Sequence, residues 1–326
     1  MGEQVKVTVP RLIGAFLAVY LIWGSTYLAI AMAIETLPPL LMAGVRFLIA
    51  GGVLFAWAAW RTGTWPTVRE WRSAAIVGAL LLLGGNGAVV MAEQRVASGA
   101  VALLVATVPL WMVLLAWLWK GGRRPDWSIC TGIALGLVGI GALVGPDALG
   151  AGKVDAIGAV TVLGGSLAWA TGSIYARSAE LPRSPLVATG MEMLAGGAAL
   201  LIVGLATGEL ATTRLDLVTA RSALAFWYLV VFGSLVGFTA YVWLLKATTP
   251  ARAATYAYVN PIVAVLLGWA FAGEPLTART MLSAFVVLTA VALITARGAR
   301  RAPAVDDDTT LRVPLVHATP SRAGSR

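Results

Sequence analysis

The stretch from Thr249 to Pro275, TPARAATYAYVNPIVAVLLGWAFAGEP, limits what this chain can become more than any other. Its apolar run is long enough to cross a bilayer core of about 30 Å as a helix. Pro261 nevertheless stands in its middle, with Asn260 before it and Tyr256 one turn earlier. Proline removes a backbone donor and crowds the carbonyl four residues back, so it breaks or kinks a helix. Inside lipid such a defect survives only where it faces protein or a water-filled cavity. The pattern recurs from Ser98, in SGAVALLVATVPLWMVLLAWLWKGG. A shift of 152 residues lays Pro109 on Pro261, Trp117 on Trp269 and Gly121 on Gly273. Two proline-broken spans at corresponding places in two halves point to the binding site of a transporter.

The remainder of the chain agrees with a polytopic membrane protein. Of its 326 residues 59% are hydrophobic and 12% charged, against about 25% charged in soluble domains. Hydropathy predicts ten spans, at 12–33, 39–60, 74–92, 99–119, 127–145, 157–176, 186–207, 224–245, 253–272 and 278–296. The first reads as a retained anchor, because its apolar run exceeds that of a signal peptide and further spans follow. The net charge of +9 is scattered between apolar runs, whereas a nucleic-acid face needs clustered charge. Cys130 is the only cysteine and His317 the only histidine. An intrachain disulfide and a thiolate metal cluster are therefore excluded.

Lysine and arginine in the short loops set orientation. With both ends inside, fifteen basic residues fall on one face, and only Arg95, Lys153, Arg214, Arg221 and Arg279 on the other. The expectation is a cell-membrane protein with both termini cytoplasmic. The tail at 301–326 lacks apolar period and is expected to be disordered.

The duplication reaches beyond the proline spans. Shifted by 146, Pro39, Gly44, Gly51 and Leu54 match Pro185, Gly190, Gly197 and Leu200; shifted by 141, Gly24-Ser25 matches Gly165-Ser166. The fold class expected is all-α and integral to the membrane, with ten transmembrane helices in two five-helix halves, 1–150 and 151–300. An odd number of spans inverts the second half relative to the first, as in many secondary transporters.

Trp23-Gly24-Ser25, Arg46-Phe47, the alanine-rich proline spans and Gly273-Glu274-Pro275 occur in an order and spacing that resemble the EamA family of the drug/metabolite transporter superfamily. The resemblance covers nearly all of Leu12 to Ala296, and the N-terminal spans look like its exporter branch. It implies a ten-helix basket with a central cavity, exporting small organic molecules by alternating access. One departure stands out. Lys120-Gly121-Gly122-Arg123-Arg124 occupies the place where the family has Gly-Glu-Arg, so Gly122 has no acid to match Glu274.

Several polar residues are candidates for the chemistry. Arg252, Tyr256 and Asn260 share one helix face, and their counterparts Ala100, Leu104 and Val108 are small or apolar. A shared cavity would thus be lopsided. Asn260 either lines it or caps carbonyls freed by Pro261. Trp23 and Tyr27 in the first span, Asn86 in the third, Trp169 in the sixth and Tyr241 in the eighth complete a substrate-binding set. Aromatic faces with a few polar groups suit an amphipathic solute, although aromatics also serve as packing and as interfacial belts. Glu93 and Gln94 lie near the outer end of the third span.

Arg46 and Glu192 are charged residues well inside spans, at equivalent repeat positions. Such charges cost at least about 2.5–3.5 kcal/mol and face the bundle or a cavity. The resemblance implies a structural Arg46, while Glu192 is either a packing acid or a proton carrier. The partners expected are a small-molecule substrate, the lipid bilayer and protons. No cofactor, metal or nucleic acid is called for. Gly145 to Lys153 looks glycine-rich but lacks nucleotide-loop spacing, so a primary pump is excluded. A non-alternating channel or scaffold and an intramembrane enzyme are the competing classes. The duplicated prolines argue against the first, and the lack of His-Glu-x-x-His or paired buried aspartates argues against the second.

Overall fold

The computed structural model describes residues 9–63, 65–119, 127–144, 155–247 and 255–300, and among them all regular structure is helical. Arg252, the loops at 120–126 and 145–154, and the tail at 301–326 lie outside the described residues. Helix α1 is Val9–Ala33, α2 is Pro39–Thr62 and α3 is Val68–Ala92. They are followed by α4 (Ser98–Val105), α5 (Val108–Trp119), α6 (Trp127–Val144), α7 (Ala156–Ala176) and α8 (Pro185–Ala206). A short α9 (Glu209–Thr212) leads to α10, which runs through Ala220–Tyr228, Leu229–Val236 and Gly237–Ala247. Helices α11 (Tyr256–Ala272) and α12 (Ala278–Arg300) close the bundle. Among the described residues, seven stretches are long and apolar enough to cross a membrane. The predicted fifth, ninth and tenth spans coincide with shorter apolar helices, Cys130–Leu143, Val259–Ala272 and Ala278–Leu293.

Local chemistry sets the helix ends. Pro39 opens α2, where a missing N–H is harmless, and Gly63 closes it at φ 60°. Thr67 and Glu70 form a reciprocal capping box at α3. Asp155 accepts from the Gly158 amide at 2.7 Å to start α7. Two other caps come from distant elements. Glu209 accepts from the Leu40 and Leu41 amides of α2 at 3.1 and 2.9 Å. Glu274 accepts from the Ser98 amide and hydroxyl at 2.7 and 2.6 Å and from the Gly99 amide at 3.1 Å. Gly273, at φ 67°, takes the left-handed turn that ends α11 and lets Glu274 reach α4. A carboxylate suits the orphan amides at a helix start.

The two proline spans differ from the sequence expectation. Pro109 sits where it was placed, just inside α5, after a break at Ala106–Thr107. Pro261 was also expected to break its helix, yet α11 continues through it. With its amide nitrogen assigned to face these acceptors, Asn260 donates to the Tyr256 carbonyl at 3.2 Å and, on α1, to the Tyr20 carbonyl at 3.3 Å.

The helices exchange partners between the halves. Helix α1 packs on α10 and α11, α7 on α3, α4 and α5, α2 on α8, and α6 on α12. Helices α2 and α8 meet backbone to backbone. A Cβ on Gly44 would stand 3.0 Å from the Gly197 carbonyl, and one on Gly51 3.0 Å from the Gly190 carbonyl. Small residues permit such approach where lipid gives helices no hydrophobic drive to associate.

Candidate functional site

Two eight-residue π-helical segments interrupt α3 and α10, at Ala79–Asn86 and Leu229–Val236. Their starts are 150 residues apart. A π segment widens the helix by one residue per turn and occurs often at functional sites. Neither was legible in the sequence, because both are plain apolar runs.

The second π segment carries the polar centre. Arg46 on α2 is only 3% exposed, and its Nε donates to Ser234 Oγ at 2.9 Å. Gly233 leaves space for the guanidinium, since a Cβ there would lie 3.1 Å from both Arg46 Nη2 and Thr26 Cγ2. The Gly233 carbonyl in turn accepts from Trp23 Nε1 at 3.2 Å. Gly237 sits one turn on, and a Cβ there would run into the same indole nitrogen. Arg46 and Trp23 thus meet at a single glycine of α10.

From Trp23 an aromatic cluster extends across three helices. Its ring lies 5.2 Å from Phe238, 5.1 Å from Tyr241 and 5.1 Å from Tyr256, and Tyr241 lies 5.5 Å from Tyr256. The planes are tilted or edge-on, the geometry that aromatic quadrupoles favour. One turn after Tyr256, Asn260 is 6% exposed and spends its amide on the two carbonyls already named. Neither carbonyl is the one that Pro261 frees, which belongs to Ala257. Trp23, Tyr241, Tyr256 and Asn260 therefore adjoin one another, and Arg46 reaches the same glycine as Trp23.

The other predicted residues lie elsewhere. Trp169 packs on the first π segment, where a Cβ on Gly85 would meet its Cε3 at 2.7 Å. Asn86 ends that segment with Oδ1 buried and unpartnered, as is Ser166 Oγ on α7. Glu192 lies on α8, its main-chain carbonyl pressed against Gly78 of α3, and makes no ion pair among the described residues. Tyr27 stands within electrostatic reach of Glu93. Glu93, which the sequence puts near the outer end of the third span, lies just past the end of α3. Both of its carboxylate oxygens are nevertheless buried and without a hydrogen-bond partner.

This centre is closely packed in the present conformation. An open surface groove of about 590 Å³ runs between α1 and α10, lined by Arg11, Ala15, Thr239 and Trp243 among others. Another, of about 300 Å³, lies near Glu35 and Arg214.

The sequence matches the EamA-like transporter family twice, over residues 11–145 and 156–296. The chain belongs to the EamA-like transporter family. Among EamA relatives, the uncharacterized inner membrane transporter YedA of Escherichia coli K12 is 43% identical over 286 residues, 87% of this chain and 90% of its own. The uncharacterized transporter YvbV of Bacillus subtilis is 24% identical, covering 93% of this chain and 97% of its own. Protein PecM of Dickeya dadantii is 26% identical, covering 84% and 88%. A crystal structure 20% identical, covering 90% of this chain and 99% of its own, superposes with a TM-score of 0.60, a likeness of fold. The protein is thus a membrane transporter of the EamA family.

Proposed function

We propose that this EamA protein is a secondary transporter that exports small amphipathic organic molecules, amino acids or drug-like compounds among them, by alternating access. Two inverted five-helix halves, 1–150 and 151–300, move against each other about the α2–α8 contact. One observation carries this reading. The sequence matches Gly44 with Gly190 and Gly51 with Gly197, while in space Gly44 meets Gly197 and Gly51 meets Gly190. A two-fold axis in the membrane plane produces that exchange, and inverted repeats rock about such an axis. The two family matches, one per half, support it.

The solute site in this reading is the seam of α1, α2, α10 and α11, where Trp23, Tyr241 and Tyr256 face an organic body and Arg46 supplies a charge. The loop charges support a cell-membrane orientation with both ends cytoplasmic. Comparing metabolite export between overexpressing and deletion strains identifies the solute, and counterflow of that solute in proteoliposomes then tests the mechanism. Trans-acceleration is expected. A flux that never accelerates would leave a channel, and no flux at all would leave a scaffold.

A further inference from the structure

A contact between the halves lies away from the α2–α8 seam. Glu274, in the turn after α11, accepts from the amide and hydroxyl of Ser98 and from the amide of Gly99, the first residues of α4. Charge-assisted hydrogen bonds of this kind are about twice as strong as neutral ones, and the positive end of a helix favours a carboxylate. Three glycines shape the socket. Gly273 turns the chain into it at φ 67°. A Cβ on Gly268 would run into Glu274 Oε2 and stand 3.2 Å from Ser98 Oγ, and one on Gly99 would stand 3.3 Å from the same carboxylate oxygen. Ser98 is only 1% exposed, so little water competes for its donors.

The repeat does not supply this socket twice. A shift of 152 residues lays Gly122 on Glu274, Pro250 on Ser98 and Ala116 on Gly268. Gly122 has no carboxylate, and Pro250 has neither a backbone N–H nor a hydroxyl to donate. The acceptor, two of its three donors and the glycine that makes room for them are all replaced. Inversion sends equivalent positions to opposite faces of the membrane. Glu209 offers a matched comparison, since it also spans the halves by accepting from the Leu40 and Leu41 amides. It follows α8 closely and caps α2, on which α8 packs, so its contact stays at the pivot. Glu274 joins two elements that belong to neither pivot helix.

Resting on the transporter reading above, we propose that Glu274 is the latch of the outer gate and that the inner gate has no equivalent. Closing seats the carboxylate on the start of α4. Opening parts it from Ser98 and Gly99 as the halves rock about α2 and α8. Closure to the outside thus gains a charge-assisted contact for which the sequence provides no counterpart inside. A contact made in one state alone shifts the population toward that state, so the empty protein rests closed to the outside. An exporter loads from the cytoplasm, and this resting state keeps its site ready on that side.

The test is the distance between spin labels at Gln94→Cys and Ala278→Cys, exposed positions on either side of the contact. It is read by pulsed electron resonance on the full-length Cys130→Ser protein in nanodiscs, without solute. One short distance should dominate. Glu274→Gln, which turns a donor toward the α4 amides, should add a longer distance. Gly268→Ala, which keeps the acid but crowds its socket, should do the same. Glu209→Gln is the control: it too loses a helix cap and should melt lower, yet keep the original distance. A long distance dominating before any latch substitution, an unchanged distance in Glu274→Gln, or equal lengthening in Glu209→Gln overturns the proposal. The first of these stands even if a variant fails to fold. Counterflow separates the two readings. Flux of an identified solute with no lengthening in Glu274→Gln would sink the latch and spare the transporter, whereas lengthening without flux would do the reverse.

Discussion

The two proline spans start from one pattern and end as different structures. In the first, the helix stops at Val105 and restarts at Val108, with Thr107 Oγ1 donating to the Leu104 carbonyl at 2.7 Å across the gap. Pro109 falls near the new start, where its lost N–H has no partner to miss. In the second, α11 runs unbroken through Pro261, and the Asn260 amide serves carbonyls on two helices. Val108, at the position equivalent to Asn260, has no amide to offer. The same asymmetry holds at the π segments. The first faces Trp169 and unpartnered Asn86 and Ser166, while the second carries the Arg46–Ser234 bond and the Trp23 cluster. A duplicated scaffold can thus hold its backbone devices in both halves and its polar chemistry mainly in one.

Crowding each π segment in turn should have the largest effect. Gly237→Val pushes a branched side chain into the Trp23 indole, and Gly85→Val does the same to Trp169. Overpacking of this kind costs about 1–3 kcal/mol, so both variants should melt lower by similar amounts. Only Gly237→Val is expected to abolish counterflow. Equal loss of transport in both would mean that the second half is not privileged.

Glu192 sharpens the comparison from the other side, because the repeat sets it opposite Arg46. If it carries the coupling proton, Glu192→Gln should still exchange solute across liposomes while losing accumulation driven by a pH gradient. Gradient-driven uptake equal to wild type would make it a packing acid. A smaller effect separates two buried serines. Ser234→Ala leaves Arg46 Nε without its acceptor and should cost about 1–3 kcal/mol in denaturant unfolding. Ser166→Ala removes a hydroxyl that has no partner, so it should be close to neutral.

The sequence displayed much of this through simple signals. Apolar runs marked the helices, the prolines marked the paired spans, and Arg46 stood out because a charge inside an apolar run must find a partner. The matched glycines announced the α2–α8 contact, though not which glycine would meet which. What stayed hidden depends on backbone geometry or distant contacts. A π segment has no composition of its own. Glu93 falls near the outer end of a span, where a solvated acid is ordinary, yet its carboxylate is buried. Pro261 reads as a break, yet the helix runs through it, and the Asn260 amide reaches across to the Tyr20 carbonyl of α1, a contact no local pattern announces.

In the transport reading the solute meets the second half's aromatic face rather than its counterpart in the first. Tyr256 and Leu104 occupy equivalent positions, and Leu104 is fully buried. In a Cys130→Ser background, Tyr256→Cys should react with a small membrane-impermeant thiol reagent and be protected by the transported solute. Leu104→Cys should not react. Equal labelling at both positions, or labelling at Tyr256→Cys that the solute leaves unchanged, would contradict the claim.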